Sequence, residues 1–541
     1  MSTGILPVVE NVDEKHDDSH LESAEIKADD VILGDDLTSK VPHSAGLAVI
    51  EQRRAIPLAG KRQVATKWEY WTFVLFFLNS NASPIGGPGG NIRQATLTLS
   101  HPDGFMNWAG ARQPVNTVLL DISGILTAVT VVVMFVLGPY ADYGNWRPWI
   151  MIGAEVITWG CEFGMMSIKD VSQWQTANVL WALGGIALTI VGAFYQATYP
   201  SMVRDLPKMI QSEEDVLHGL KSPEEHEKLD AYERAKIFNW CNIWGSFGSV
   251  VVFGIGIAVS KAVGFADTSA LLHAYRVLMA YYTPIAILVT VPYFICMKWR
   301  PAQQVPSGYS MWTVGPRQVI YAGKSIVQLK QCLLYLCAYV FLFEAIGAFL
   351  SIYFILQLET IHYNPVISTA FNLVGDLCGG AGCAVILYLH RRYDWKVKWI
   401  MFVSAIFSLF PCLWGALGSF THKIGFHNVW EFWFMQVWNL VTSACSSYNV
   451  TMISEVAPAT KLFMFYSLFN TISKSTGFAG PFITAAIIKQ SHGNNNYAFW
   501  FLVGLGIIAI VLLYFVDTDK AKIDCAVCEC GRAGYRISLR V

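Results

Sequence analysis

Runs of about 20 apolar residues recur along almost the whole chain, and they restrict the fold more than any other feature. A helix of that length crosses the ~30 Å hydrocarbon core of a bilayer. Trp and Tyr mark many of the run ends, as is typical of a membrane interface. We therefore predict an all-α membrane protein with twelve transmembrane helices, near residues 69–91, 115–138, 148–168, 176–202, 236–260, 274–297, 329–357, 365–389, 397–419, 430–454, 464–488 and 497–516.

The composition argues against several other classes of protein. Of the 541 residues, 54% are hydrophobic and 14% are charged, whereas about a quarter of the residues in a soluble domain are charged. The formal net charge of −1 provides no basic surface for nucleic acid. The phosphate-binding motif G-x-x-x-x-G-K-[ST] and the hydrolase motifs H-E-x-x-H and G-x-S-x-G do not occur in the sequence. We therefore predict no enzyme activity, no cofactor and no metal, and a membrane-embedded hydrolase is a distant alternative.

Basic residues are divided unequally between alternate loops. One set of loops carries most of the Arg and Lys, whereas the opposite set has single residues such as Lys169 and Lys423. Because basic loops stay on the cytosolic side, we predict that both termini and the turn 138–148 face the cytosol. The predicted organisation is a disordered acidic tail (1–67), a six-helix half (68–298) with a cytosolic loop (203–235), a central cytosolic linker (299–328), a second six-helix half (329–516) and a cytosolic tail (517–541).

A short polar turn joins the second and third predicted spans. It contains Gly138, Asp142 and Arg147 in the pattern G-x-x-A-D-Y-G-x-x-R. The turn resembles the loop between helices two and three of the major facilitator superfamily, in the variant typical of its autophagy-related vacuolar effluxer family. A late stretch resembles the same family in its spacing of P-x-x-K, an aromatic pair, a lysine and G-P, at Pro458, Lys461, Phe465, Tyr466, Lys474, Gly480 and Pro481.

The resemblance implies a fold, a function and a role for the turn. The fold would be two six-helix halves that rock around a central site. The residues Gly138, Asp142 and Arg147 would then form a gating motif at the cytosolic end. The implied function is secondary-active export of amino acids from the vacuole lumen to the cytosol after autophagic degradation, in a fungus. Two alternatives stay open: a transporter of a sugar, peptide or metabolite at the plasma membrane, and a membrane sensor that does not transport.

Two acidic side chains lie inside the third predicted span. An ionisable residue costs about 2.5–3.5 kcal/mol at the centre of a span, so each requires a reason. Glu155 and Glu162 are seven residues apart, which places them on one face, about 10 Å apart. They could relay protons or line a cavity, and proton coupling is inferred from such carboxylates alone. The alternative is a structural Glu that is protonated or hydrogen-bonded to a neighbouring helix.

The second half has its own polar residues within predicted spans. Asn372 and Asp376 share a face of the eighth span, and Glu344 lies at mid-depth in the seventh. Lys474 lies at mid-depth in the eleventh span. We predict that Lys474 forms an ion pair with Asp376 or Glu344 and that this pair breaks and re-forms during each transport cycle. A static structural bridge is an equal alternative.

The first predicted span contains a run of Gly, Pro, Asn and Ser over residues 79–91. Irregular backbone within a membrane must face protein or a watery cavity. Freed backbone groups there, with Asn79 and Asn81, could hold the carboxylate and ammonium of a zwitterionic substrate. The alternative that the sequence favours slightly is a span that ends near Ser83, followed by a lumenal turn.

Overall fold

Helices form most of the structure, because a backbone inside hydrocarbon must satisfy its own N–H and C=O groups. The computed structural model describes residues 60–525 except 302–303, 305–309, 311–322, 324–325, 328, 394, 458–464, 466–467, 470–471, 473–476, 492 and 522–523. Most of the two predicted tails and of the predicted linker therefore lies outside the described residues.

The first half of the chain begins with a broken helix and continues with long helices. The order is α1 (Lys67–Phe76), α2 (Leu78–Asn81), α3 (Pro88–Leu99), β1 (Phe105–Trp108), β2 (Ala111–Pro114), α4 (Val115–Asp142), α5 (Arg147–Met165), α6 (Trp174–Arg204), α7 (Pro207–Leu217), α8 (Pro223–Val263) and α9 (Thr268–Cys296). The two strands form an antiparallel hairpin in which Phe105 pairs with Pro114. Its turn uses Gly110 at a φ of 79°, a conformation that favours glycine.

The second half consists of helices only among its described residues. They are α10 (Lys330–Thr360), α11 (Pro365–Tyr393), α12 (Val397–Leu417), α13 (Val429–Thr442), α14 (Ala444–Val456), α15 (Ala479–Gln490) and α16 (Asn496–Phe515). Loops of few residues join α10 to α11 and α11 to α12, so these neighbouring helices run in opposite directions. The loops of the whole bundle consequently gather at two ends.

We name these ends by their residues. The hairpin end carries the strand pair Phe105–Pro114. The basic end carries Arg62 and Arg300, which bind the acidic side chains Asp205 and Glu213 there. Arg62 also donates to the backbone carbonyl of Arg204. The basic end is the one that the positive-inside rule assigns to the cytosol.

The two halves pack together at the hairpin end and separately at the basic end. One buried cluster at the hairpin end contains residues of both halves, among them Ile92, Leu278 and Ile355. At the basic end, one cluster contains residues of the first half only and another residues of the second half only. Among the described residues, the halves therefore share a hydrophobic core near one end of the bundle.

Small residues allow the halves to approach within the bundle. A Cβ at Gly380 of α11 would lie 2.8 Å from the Cβ of Ser246 on α8. A Cβ at Gly124 of α4 would lie 2.9 Å from the Phe482 ring on α15. Small residues are typical of helix contacts in membranes, because packing rather than exclusion of water brings the helices together.

Eight helices among the described residues are long and apolar enough to cross a membrane. The other predicted spans correspond to the broken first helix, to α5, to the pair α13 and α14, and to the region that ends in α15. The all-α membrane class is confirmed. The number of twelve spans is consistent with this arrangement and stays a prediction.

Candidate functional site

The first span is a discontinuous helix. The chain leaves α2 at Asn81, turns through Ala82–Gly87 and re-enters a helix at Pro88. Pro84 and Pro88 lack a backbone N–H, and Pro88 occupies the first turn of α3, where that N–H is not needed. The helix does break close to Ser83, at Asn81, but the expectation that a turn follows is wrong from Pro88 onward, because a helix resumes there and runs to Leu99.

Asn79 and Glu155 meet just before this break. The Asn79 amide donates a hydrogen bond of 2.9 Å to Oε1 of Glu155, and both residues are buried. The second carboxylate oxygen of Glu155 is buried and accepts no well-formed hydrogen bond in the described part of the chain, although the Trp159 indole, one turn further along α5, faces the carboxyl group. The Asn79 amide therefore binds one of the two carboxylate oxygens of Glu155 and leaves the other oxygen free of Asn79.

Glu162 lies beside the break itself. Its carboxyl group faces the Thr283 hydroxyl on α9 and the backbone amide of Ile85 in the turn. Glu162 is 1% exposed, and its Oε2 has no hydrogen-bond donor among the described residues. A buried carboxylate with an unsatisfied oxygen is costly, so Glu162 is suited to bind a proton or a cationic group of a ligand.

Two carboxylates of the second half contact other helices. Ser249 on α8 donates a hydrogen bond to Asp376 on α11, and this bond joins the two halves. The backbone N–H of Gly480, at the start of α15, donates to Oε1 of Glu344 on α10. The second oxygen of Glu344 has no donor in the described structure.

The remaining predicted site residues are only partly placed. Asn372 lies one turn before Asp376 on α11 and is half-buried. The Asn81 amide nitrogen would lie 3.1 Å from a Cβ at Gly245, so Asn81 packs against α8. Lys474 lies outside the described residues, and its ion pair with Asp376 or Glu344 stays a prediction.

The turn of the gating motif connects α4 to α5 at the basic end. Gly138 lies in the last turns of α4, and Asp142, whose side chain is not described, is the final residue of that helix. Arg147 begins α5 and donates to the Ser201 hydroxyl at 3.5 Å. The backbone arrangement agrees with a tight turn, and the gating role stays a prediction.

A buried ion-pair network at the basic end was not predicted from the sequence. Arg300, 6% exposed, donates to both oxygens of Glu69 and, at 2.8 Å, to Asp205. Arg62 also binds Asp205, at 2.7 Å. Burial by itself lowers the pKa of Arg300, but its bonds to Glu69 and Asp205 outweigh that effect and raise the pKa above its ordinary value. The network ties the chain after α9 to the start of α1.

Arg93 is a buried cation that sequence reasoning also missed. It lies on α3, which begins inside the first predicted span (69–91) and continues beyond it as a helix that the sequence does not predict. Its guanidinium carbon lies 3.8 Å from the centre of the Trp181 ring. The only available signal was an Arg within an otherwise uncharged run after the break.

Polar contacts across the halves also gather at the hairpin end. Gln94 of α3 donates to the Ile355 carbonyl at 2.9 Å. Asn91 of α3 donates to the Ser368 hydroxyl at 3.2 Å. The segment after the break thus belongs to the contact that closes the hairpin end.

Comparison with known proteins supports the same architecture. The chain matches the family described as vacuole effluxer Atg22 like over residues 67–526. Autophagy-related protein 22 of Candida albicans is 22% identical over 421 residues, which cover 75% of this chain and 78% of that protein. Autophagy-related protein 22 of Pyricularia oryzae is 22% identical over 445 residues, which cover 73% of this chain and 64% of that protein. The match to the Gibberella zeae protein covers 37% of its length.

Solved structures share the fold at low sequence identity. A D-xylose-proton symporter has a TM-score of 0.53 at 12% identity, covering 84% of this chain and 98% of its own. The xylose transporter XylE from E. coli, in a partially occluded inward open conformation, has a TM-score of 0.53 at 11% identity, covering 83% and 96%. The two structures show that the chain shares the fold of these transporters. The family match over most of its length shows that the chain is a membrane transporter of the vacuole effluxer Atg22-like family.

Proposed function

We propose that this protein exports amino acids from the vacuole lumen to the cytosol by alternating access. The observation that carries the proposal is the unequal packing of the halves, which share one hydrophobic core at the hairpin end and have separate cores at the basic end. That arrangement is expected for one end state of two halves that rock around a central site. With the basic end in the cytosol, it is the state that releases substrate there.

The substrate site in this proposal lies beside the break in the first span. Three features support it: the discontinuous helix, the carboxylate of Glu155 with one donor from Asn79, and the carboxyl group of Glu162 beside the turn. Discontinuous helices often form the binding sites of transporters, because their free backbone groups can contact a polar substrate. Glu155 and Glu162 would bind the substrate ammonium or a coupled proton.

The second half would supply the parts that respond to rocking. Asp376 is bound across the halves by Ser249, and Glu344 is bound at the start of α15. We assign both, with Asn372 and Lys474, to coupling between the halves. The motif Gly138, Asp142 and Arg147 would close the basic end in the opposite state.

Counterflow in proteoliposomes tests the proposal. Purified protein is reconstituted, and exchange of labelled amino acids is measured with and without an imposed pH gradient. Exchange of large neutral amino acids supports the proposal, and accumulation driven by the gradient supports coupling to protons. Exchange of a sugar or peptide but of no amino acid would contradict the amino acid specificity, and binding without exchange would contradict transport itself.

A further inference from the structure

Arg93 is held inside the first half by neutral groups. Its Nε donates to the Asn178 side-chain oxygen at 2.9 Å, and its Nη2 donates to the Leu119 carbonyl and, at 3.2 Å, to the Ser123 hydroxyl. The Trp181 ring covers one face of the guanidinium. Arg93 is 7% exposed, so it is nine-tenths removed from solvent.

No acidic side chain compensates the charge of Arg93 in the described part of the chain. The ion pairs there involve other basic residues, and those of Arg300, which is buried to the same degree, include two carboxylates. The Nη1 group of Arg93 has no acceptor among the described residues. A buried charge without a counter-charge is unfavourable, so an anion that reached the free Nη1 group would be stabilised there.

The position of Arg93 relates this charge to the break in the first span. On α6, Gly184 packs against Ile85 and Cys161, the neighbour of Glu162, whereas Trp181 packs against Arg93. Residues 181 and 184 are about one helical turn apart, or ~5 Å along the axis. Ile85, whose backbone amide faces the Glu162 carboxyl group, therefore packs on α6 about one turn from the ring that covers Arg93.

We propose that Arg93 binds the carboxylate of the transported amino acid while its ammonium group is directed to Glu162. This inference rests on the proposed function and specifies its substrate class: a ligand with a free α-carboxylate and a free amine. A guanidinium suits a carboxylate because it presents parallel N–H donors in one plane. A neutral sugar would leave the charge of Arg93 uncompensated.

The first test uses the wild-type protein. Counterflow of labelled leucine is measured with unlabelled leucine or leucinamide as competitor, because leucinamide retains the amine and lacks the carboxylate. We expect leucine to compete roughly 10–100-fold better, the range for one hydrogen bond to a charged group. Equal competition by leucinamide would overturn the inference whatever the variants do.

The second test uses variants of Arg93. R93Q is expected to lose the preference for leucine over leucinamide, whereas R93K is expected to retain part of it. R276Q is the matched control, because Arg276 also lies near the hairpin end and donates to a backbone carbonyl, that of Met166. R276Q should keep the wild-type ratio. A folded R93Q with the wild-type ratio would make Arg93 a structural residue.

The outcomes separate this inference from the proposed function. If the wild-type protein exchanges no amino acid, the proposed function fails and the assignment of Arg93 fails with it. If leucine is exchanged but the preference for its carboxylate is absent or independent of Arg93, only the assignment of Arg93 fails. If R93Q does not fold, the wild-type competition and R93K still decide.

Discussion

Two carboxyl groups in this protein are equally buried and differ in how their oxygens are satisfied. Glu431, near the hairpin end, is 0% exposed and receives donors from the backbone of residues 425–428 and from the Trp414 indole. Glu162 is 1% exposed, and one of its oxygens has no donor among the described residues. Burial alone therefore does not distinguish these two acidic residues, whereas the number of hydrogen-bond donors does, and we use that number to predict which of them can bind a proton or a cation.

The physical reason is the cost of exchanging partners. A carboxylate that accepts several N–H bonds is stable as an anion, and any change of partner loses those bonds. A carboxyl group with an unused oxygen loses little when it binds a proton or a cation. Glu69, with both oxygens on Arg300, belongs with Glu431, and Glu155 belongs with Glu162.

The largest effect on stability is expected at Arg300. R300Q would leave Glu69 buried without its cation and Asp205 with Arg62 alone, which costs about 3–5 kcal/mol in the free energy of unfolding. Thermal unfolding of the purified protein measures the change. K396Q is the control, because Lys396 pairs with Asp519 in an exposed position, and it should leave the unfolding temperature unchanged. An R300Q variant as stable as wild type would contradict the view that fully hydrogen-bonded carboxyl groups such as Glu69 stabilise the fold.

E431Q is expected to have the second largest effect on stability, a decrease of about 2–3 kcal/mol in the free energy of unfolding. The reason is that the introduced amide would point its N–H groups at existing hydrogen-bond donors. Transport per folded molecule should not change, because Glu431 serves the loop 425–428 and not a ligand. Unfolding temperature and counterflow are measured on the same preparation. Loss of pH coupling in folded E431Q would place this residue among the functional carboxylates and break the comparison.

S249A removes the hydrogen bond that Asp376 accepts from the other half. Its loss should destabilise the state in which the halves are packed together at the hairpin end by about 1 kcal/mol. The expected result is about a fivefold larger population open at the hairpin end, since 1.4 kcal/mol corresponds to a factor of ten. Labelling of I361C with an impermeant maleimide measures it, because Ile361 is buried in the shared core. S260A is the matched control, since the Ser260 hydroxyl bonds within its own helix. Equal labelling of both variants would contradict the role of Ser249.

E162Q is expected to change stability least, by less than about 1 kcal/mol, because a neutral side chain replaces a poorly satisfied acidic one. The same change should abolish accumulation driven by a pH gradient and weaken exchange at equal pH without abolishing it, because the amide oxygen can still accept a hydrogen bond from the substrate ammonium. Folded E431Q is the comparison protein and should still accumulate substrate. Intact gradient-driven accumulation in E162Q would remove Glu162 from the coupling mechanism.

Sequence reasoning identified the acidic residues of the third span but not their partners. Glu155 and Glu162 stand out because acidic residues are rare within apolar runs. Asn79, the donor to Glu155, lies 76 residues earlier in the chain. Its hydrogen bond depends on the packing of α2 against α5, which no local pattern specifies. Arg93 was missed for a related reason, since the Gly and Pro run before it favours a turn, and only packing shows that the helix continues.

The sequence by itself determined the membrane class, the family resemblance and the acidic residues inside the spans, because apolar runs of bilayer length and short motifs are local properties. The tertiary structure decided at which end the halves pack together and which carboxylates have hydrogen-bond donors on both oxygens. It also decided which buried cation has no acidic partner among the described residues. These properties depend on contacts between residues far apart in the chain. Such contacts are set by the rotation and depth of each helix against its neighbours, and hydropathy does not encode either one.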